Sequence, residues 1–98
     1  MKFEDNNNIK SKLDLAVKHH KENNFILAEK LYRDILSILP NHLGAIFYLG
    51  TLYAQSKKFN LAKKFLMRAD SLKPKDLSIN LNLGNIFHET GDFDNALK

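Results

Sequence analysis

Apolar residues along this chain recur with the period of a helix, in blocks of a dozen or so residues. Ile46, Leu49, Leu52 and Tyr53 form one such block; Phe59, Ala62, Phe65, Leu66 and Ala69 form the next. Their spacing puts each set on one helical face, with polar residues on the other. Leu15, and then Phe25, Ala28, Leu31, Tyr32 and Ile35, repeat the arrangement earlier in the chain. Short polar breaks separate the blocks at Asn23-Asn24, Ser56-Lys57-Lys58 and Thr90-Gly91-Asp92. Glycine and asparagine tolerate the left-handed backbone that a tight turn between helices requires. Lysine tolerates it less well, so the turn at Lys57 is expected to be strained or of another type. Pro40 and Pro74 stop the helices before them, because proline lacks the amide donor and clashes with the preceding turn. Asp76 is positioned to cap the helix that follows it. The pattern predicts helices at about 9–22, 25–38, 43–55, 59–72 and 77–89, and a short one from 93.

The blocks are copies of one another. Phe25, Phe59 and Phe93 are 34 residues apart, each followed three residues later by Ala28, Ala62 or Ala96. The same step carries Pro40 onto Pro74, Leu15 onto Leu49 and Leu83, and Ala16 onto Gly50 and Gly84. A fixed period of this size marks an array in which one supersecondary unit is stacked on itself. The units are residues 9–42, residues 43–76 and a partial third at residues 77–98, preceded by a disordered leader at residues 1–8.

This pattern resembles the tetratricopeptide repeat family, whose signature is a large apolar residue, Leu-Gly, an aromatic, Ala, a second aromatic and Pro at fixed offsets. The second unit reads Ile46, Leu49-Gly50, Tyr53, Ala62, Leu66, Ala69, Pro74; the third reads Leu83-Gly84, Phe87, Ala96; the first reads Leu15-Ala16, Ala28, Tyr32, Pro40. Lys12, Asn80 and His19 depart from it, standing where large apolar residues and a tyrosine are usual; Lys12 and His19 sit in a unit with no earlier neighbour. The resemblance implies an all-α fold, a right-handed α-solenoid of antiparallel helix pairs. The small residues at Ala16, Gly50 and Gly84, and at Ala28, Ala62 and Ala96, are expected where paired helices come closest. A bulky residue at Gly50 or Ala62 should therefore be disruptive.

The resemblance also implies a use. In such arrays the first helix of each unit lines a concave groove that takes a peptide or protein segment. Helical phase selects Asp14 in the first unit, Phe47, Tyr48, Thr51 and Gln55 in the second, and Asn82, Asn85 and Glu89 in the third. Lys10, Val17, Lys21 and Ser78 share that phase. Phe47 and Tyr48 would offer aromatic surface at the groove centre, unless they pack on neighbouring helices. Asn82 and Asn85 are similar to the asparagine ladder of some arrays, where amides bond a ligand's main chain; the alternative is that they are solvated amides. The carboxylate clamp of chaperone-binding arrays is absent, since Leu13, Val17, Phe47 and Thr51 occupy its places.

Composition narrows the function classes. With 98 residues the chain is one domain, and stacking units relieves the marginal core of so short a chain. There is no cysteine, hence no disulfide framework or thiolate metal site, which fits a reducing, cytoplasmic setting. The net charge of +4 is unevenly spread: −1 over residues 1–8, +2 over residues 9–42, +5 over residues 43–76 and −2 over residues 77–98. The basic set Lys57, Lys58, Lys63, Lys64 and Arg68 reads as a solvated convex face, and no nucleic-acid-binding pattern accompanies it. His19 and His20 point in different directions on a helix and do not make a metal site. No phosphate-binding glycine loop or catalytic set is present, so neither enzyme activity nor a cofactor is expected. No apolar run is long enough to span a membrane. The expected role is a non-catalytic scaffold for a protein or peptide ligand. Two alternatives stand beside it: self-assembly as a homo-oligomer through the open C-terminal repeat, and service as the repeat arm of a larger transferase.

Overall fold

The computed structural model describes residues 2–91, with side chains from Asn8 onward. Five helices follow one another: α1 (Lys2–Lys21), α2 (Phe25–Ile38), α3 (Leu43–Gln55), α4 (Phe59–Leu72) and α5 (Leu77–Glu89). Among the described residues there is no strand. The limits of α2 to α5 are those the sequence predicts. The helix expected from 93, with Phe93 and Ala96, lies outside the described residues. At the other end α1 starts at Lys2, so the segment expected as a disordered leader is helical from its second residue. Among the described side chains, the first buried one on α1 is Ile9, which packs with Ile35 and Ala45. No proline or glycine precedes it to stop the helix from running back toward the N-terminus.

The turns repeat as faithfully as the helices. Asn23, Lys57 and Gly91 all have left-handed φ, at 64°, 61° and 79°. The amides of Asn24 and Lys58 each reach back five residues, to the carbonyls of His19 and Tyr53, both at 2.8 Å. That is the Schellman closure of a helix C-terminus. Of the two expectations for Lys57, strain in a common turn holds: the lysine adopts the same geometry as its asparagine and glycine counterparts. The first helices of units two and three are capped alike. His42 Nδ1 accepts from the Ala45 amide at 3.1 Å, and Asp76 Oδ1 accepts from the Ile79 amide at 3.0 Å. The Asp76 carboxyl is held below its usual range by that backbone bond and by Lys73, whose Nζ is 3.1 Å away.

Packing builds one continuous core through all the units. Tyr32, Ile46, Leu49, Leu52, Tyr53 and Leu66 are at most 2% exposed and pack together with Ala16, Ala28, Ala62 and Ala69. Among the described residues, α3 touches α1, α2, α4 and α5, whereas α1 meets only α2 and α3, and α5 only α3 and α4. This placement explains the residues that break the period. Leu49 and Leu83 are buried, but their counterpart Leu15 is 45% exposed, because among the described residues no helix packs on that side of α1. Ile46 is fully buried while its counterpart Asn80 is exposed on the outer side of α5, beside Leu77 and Leu81. The solenoid measures 47 × 27 × 18 Å.

Polar ties lock the units together. Tyr53 on α3 donates to Glu29 Oε2 on α2 at 2.6 Å, and Arg33 bonds both of them. The Tyr53 bond is the main reason the Glu29 carboxyl lies below its usual range. Two members of the basic set have structural partners. Arg68 donates to the Pro40 carbonyl and to Asn41 Oδ1, tying α4 to the turn between α2 and α3. Lys63 sits over the Phe87 ring, 5.7 Å from its centroid.

Candidate functional site

The first helices of units two and three, α3 and α5, lie side by side and run in the same direction. Successive first helices sit on one side of a solenoid because each chain turns back through its second helix before the next unit begins. The valley between α3 and α5 is opened by two clefts. Near the N-terminal ends of the helices, a cleft of about 270 Å³ is lined by Leu43, Gly44, Phe47, Tyr48, Lys73, Asp76, Ser78 and Ile79. Near their C-terminal ends, one of about 390 Å³ is lined by Thr51, Ala54, Gln55, Lys57, Phe59, Asn82, Asn85, Ile86 and Glu89.

Seven of the eight candidate groove residues are thus distributed between the two clefts. Phe47 and Tyr48 line the first; Thr51, Gln55, Asn82, Asn85 and Glu89 line the second. Asp14 lies on α1, exposed and outside both. The aromatic pair has a double character. Phe47 and Tyr48 meet edge to face with centroids 5.6 Å apart, and Tyr48 stacks on Tyr32 at 6.1 Å, with ring planes 14° apart. Both rings are half-buried, so each is part of the core wall and of the cleft lining at once.

The second cleft is polar on two sides and apolar at its base. Thr51 Oγ1 donates to the Phe47 carbonyl at 2.9 Å, which spends its proton on the backbone of α3. Gln55 Oε1 accepts from His20 Nε2 at 2.5 Å. The other ring nitrogen, His20 Nδ1, then accepts from the Tyr32 hydroxyl at 2.9 Å. His20 is only 9% exposed and also meets Phe25 edge to face. Burial raises the Tyr32 hydroxyl well above the usual tyrosine value, with a smaller contribution from Tyr48. A chain of contacts therefore runs from the cleft wall at Gln55 through His20 into α1 and α2. The sequence pointed to His20 as half of an adjacent histidine pair. Its partners are 12 and 35 residues away, and no local spacing signals them.

Among the described residues, no three His, Cys, Asp or Glu side chains cluster in a way that could hold a metal ion. No helix of the described residues is long and apolar enough to cross a membrane.

Comparison with known proteins agrees with this architecture. The solved structure of an O-GlcNAc transferase from Thermobaculum terrenum is similar over 90% of this chain, with 28% identity and a TM-score of 0.85. A MamA structure labelled AMB-1 is similar over 90% of the chain with 24% identity and a TM-score of 0.82. A further MamA crystal structure is similar over 91% with 16% identity and a TM-score of 0.85. At the MamA identities the likeness speaks for the fold alone. The chain spans 17% of the transferase and about half of these MamA chains, 48% and 52%. No curated protein sequence matches it. The tetratricopeptide repeat family model matches residues 44–76 and 77–98, that is, the second and third units. Helices α1 and α2 form a further pair of the same kind ahead of them, and the chain belongs to the tetratricopeptide repeat family of protein-interaction modules.

Proposed function

We propose that this chain is a non-catalytic module that binds a peptide or protein segment in the valley between α3 and α5. The observation that carries the reading is the convergence of Thr51, Gln55, Asn82, Asn85 and Glu89 on one cleft, with Phe47 and Tyr48 lining the next cleft along. Amide side chains both donate and accept, so they suit a ligand's main chain. Half-buried aromatics supply contact area for an anchoring side chain. A cysteine-free chain is at home in a reducing compartment, so the cytoplasm is part of the same proposal. The test is a peptide array probed with the chain and with Asn82→Ala and Asn85→Ala, two changes on the surface of α5. Bound peptides should lose affinity about tenfold, as expected for lost hydrogen bonds to a ligand. Unchanged binding by both variants would remove the groove from consideration.

Two further readings each have an observation behind them. Similarity to part of an O-GlcNAc transferase favours service as the repeat arm of a larger enzyme; a catalytic domain encoded in the same gene would establish it, and its absence would end it. Leu77 and Leu81, 71% and 59% exposed on the outer side of α5, favour self-association. Light scattering decides that point: a strict monomer at high concentration excludes it.

A further inference from the structure

The two clefts lie along one valley, and the distance between them constrains what can fill both. On α3 the first cleft is lined between Leu43 and Tyr48 and the second between Thr51 and Gln55. Their centres are roughly eight residues apart, or about 12 Å at the helical rise. The offset along α5 is about 10 Å by the same reasoning. An extended chain advances about 3.3 Å per residue, so about 11 Å corresponds to three or four residues. Side chains of an extended chain alternate in direction. At a separation of three, one of the two points out of the valley; at four, both point in.

The clefts differ in what they accept. The first has an apolar floor of Leu43, Phe47, Tyr48 and Ile79, and the charges at its rim are already engaged. Lys73 pairs with Asp76, whose other oxygen caps α5. It therefore suits a large uncharged apolar side chain. The second presents the amides of Gln55, Asn82 and Asn85 together with the opposite charges of Lys57 and Glu89, a set with both donors and acceptors and no net charge. Because the Gln55 carbonyl oxygen is taken by His20, that residue faces the cleft as a donor. A side chain that both accepts and donates answers this set, and a second amide is the closest match.

We propose that the preferred ligand is an extended segment carrying a large apolar residue and, four positions away, a glutamine or asparagine. This rests on the groove reading and adds a spacing rule to it. The test uses the full chain and short synthetic peptides with leucine and glutamine separated by three, four or five positions, in both orders, followed by fluorescence polarisation. One order at a separation of four should bind at least tenfold tighter than the same order at three or five. Replacing its leucine by serine should remove that advantage. Equal or tighter binding at three overturns the rule; the groove reading survives if Asn82→Ala and Asn85→Ala weaken every peptide of the set. If no peptide of the set binds, the rule also fails. In that case an unbiased array hit weakened by the same two variants would preserve the groove reading, and the lack of one would overturn both.

Discussion

Gly50 and Gly84 occupy the same place in successive units, yet the structure predicts opposite responses to an added methyl group. A Cβ built on Gly50 would lie 2.8 Å from Leu66 Cγ, 3.1 Å from Leu66 Cδ2 and 3.3 Å from Phe65 Cβ. Leu66 is fully buried, and its branch carbon cannot swing aside without moving the whole side chain. Overpacking of this kind costs about 1–3 kcal/mol. Replacing a helical glycine by alanine returns about 1 kcal/mol. Gly50→Ala should therefore destabilise the chain by about 1 kcal/mol net. At Gly84 nothing among the described residues lies within 4 Å of the added carbon. Gly84→Ala should collect the helical gain alone and stabilise by about 1 kcal/mol. Each kcal/mol moves the midpoint of a domain this size by about 4–8 °C, so the two variants should melt about 10 °C apart on either side of the parent. Thermal unfolding followed by circular dichroism at 222 nm reads this directly. Parallel shifts of the two variants in the same direction would refute the reasoning, because the close approach of α3 to α4 would then not be what fixes glycine at position 50.

Other consequences of the structure can be measured in the same way. Lys57→Gly should stabilise by about 0.5–1 kcal/mol, since it relieves a left-handed backbone angle at some cost in unfolded-state entropy; urea midpoints would show it. His20→Ala should destabilise by about 2–3 kcal/mol, because it leaves the buried Tyr32 hydroxyl without its acceptor, and Tyr32→Phe in the same background should recover part of the loss. Burial pushes the Tyr53 hydroxyl up to about 12, from an unfolded value near 10. A raised folded value means that the associated stability is complete below pH 10 and is lost as pH climbs toward 12. That loss amounts to about 2–3 kcal/mol, and Tyr53→Phe should flatten the alkaline side of a stability profile. Glu29 is shifted the other way, so its contribution is present at neutral pH and fades as acid carries the solution below the ordinary carboxylate range.

Much of the fold was readable because the chain punctuates itself. Pro40 and Pro74 end α2 and α4, and the paired phenylalanine and alanine of each second helix fix its phase. Periodicity assigns equal phase to equivalent residues but says nothing about which neighbours are present. Leu15 and Leu49 are indistinguishable on a helical wheel, and only the lack, among the described residues, of a helix packed on that side of α1 separates an exposed side chain from a buried one. In the same way the sequence marked Asn80 as a departure at the place of Ile46, but not that this place is exposed on α5. Residues 1–8, with their acids and three asparagines, read as a frayed leader, whereas α1 runs from Lys2. At the candidate site, helical phase picked seven residues that line the two clefts and one, Asp14, that lies outside both, and it did not show the division of the valley. The linings drawn from the turns, Lys57 with Phe59 and Lys73 with Asp76, depend on how the second helices come back toward the first. The role of His20 was invisible for a different reason. That residue braces Gln55 through a tertiary hydrogen bond across the α1–α3 junction.

Three chemically unlike residues, Asn23, Lys57 and Gly91, take the same backbone angle at the same joint. The step from one helix to the next is therefore set by the trace of the main chain, and an asparagine, a lysine or a glycine can hold it, the lysine at some cost in backbone strain. For anyone lengthening or re-cutting this protein, the joint is a standard coupling. At Asn23 and Gly91, which line neither valley cleft, asparagine and glycine should be exchangeable with the helices on either side still meeting at the same angle.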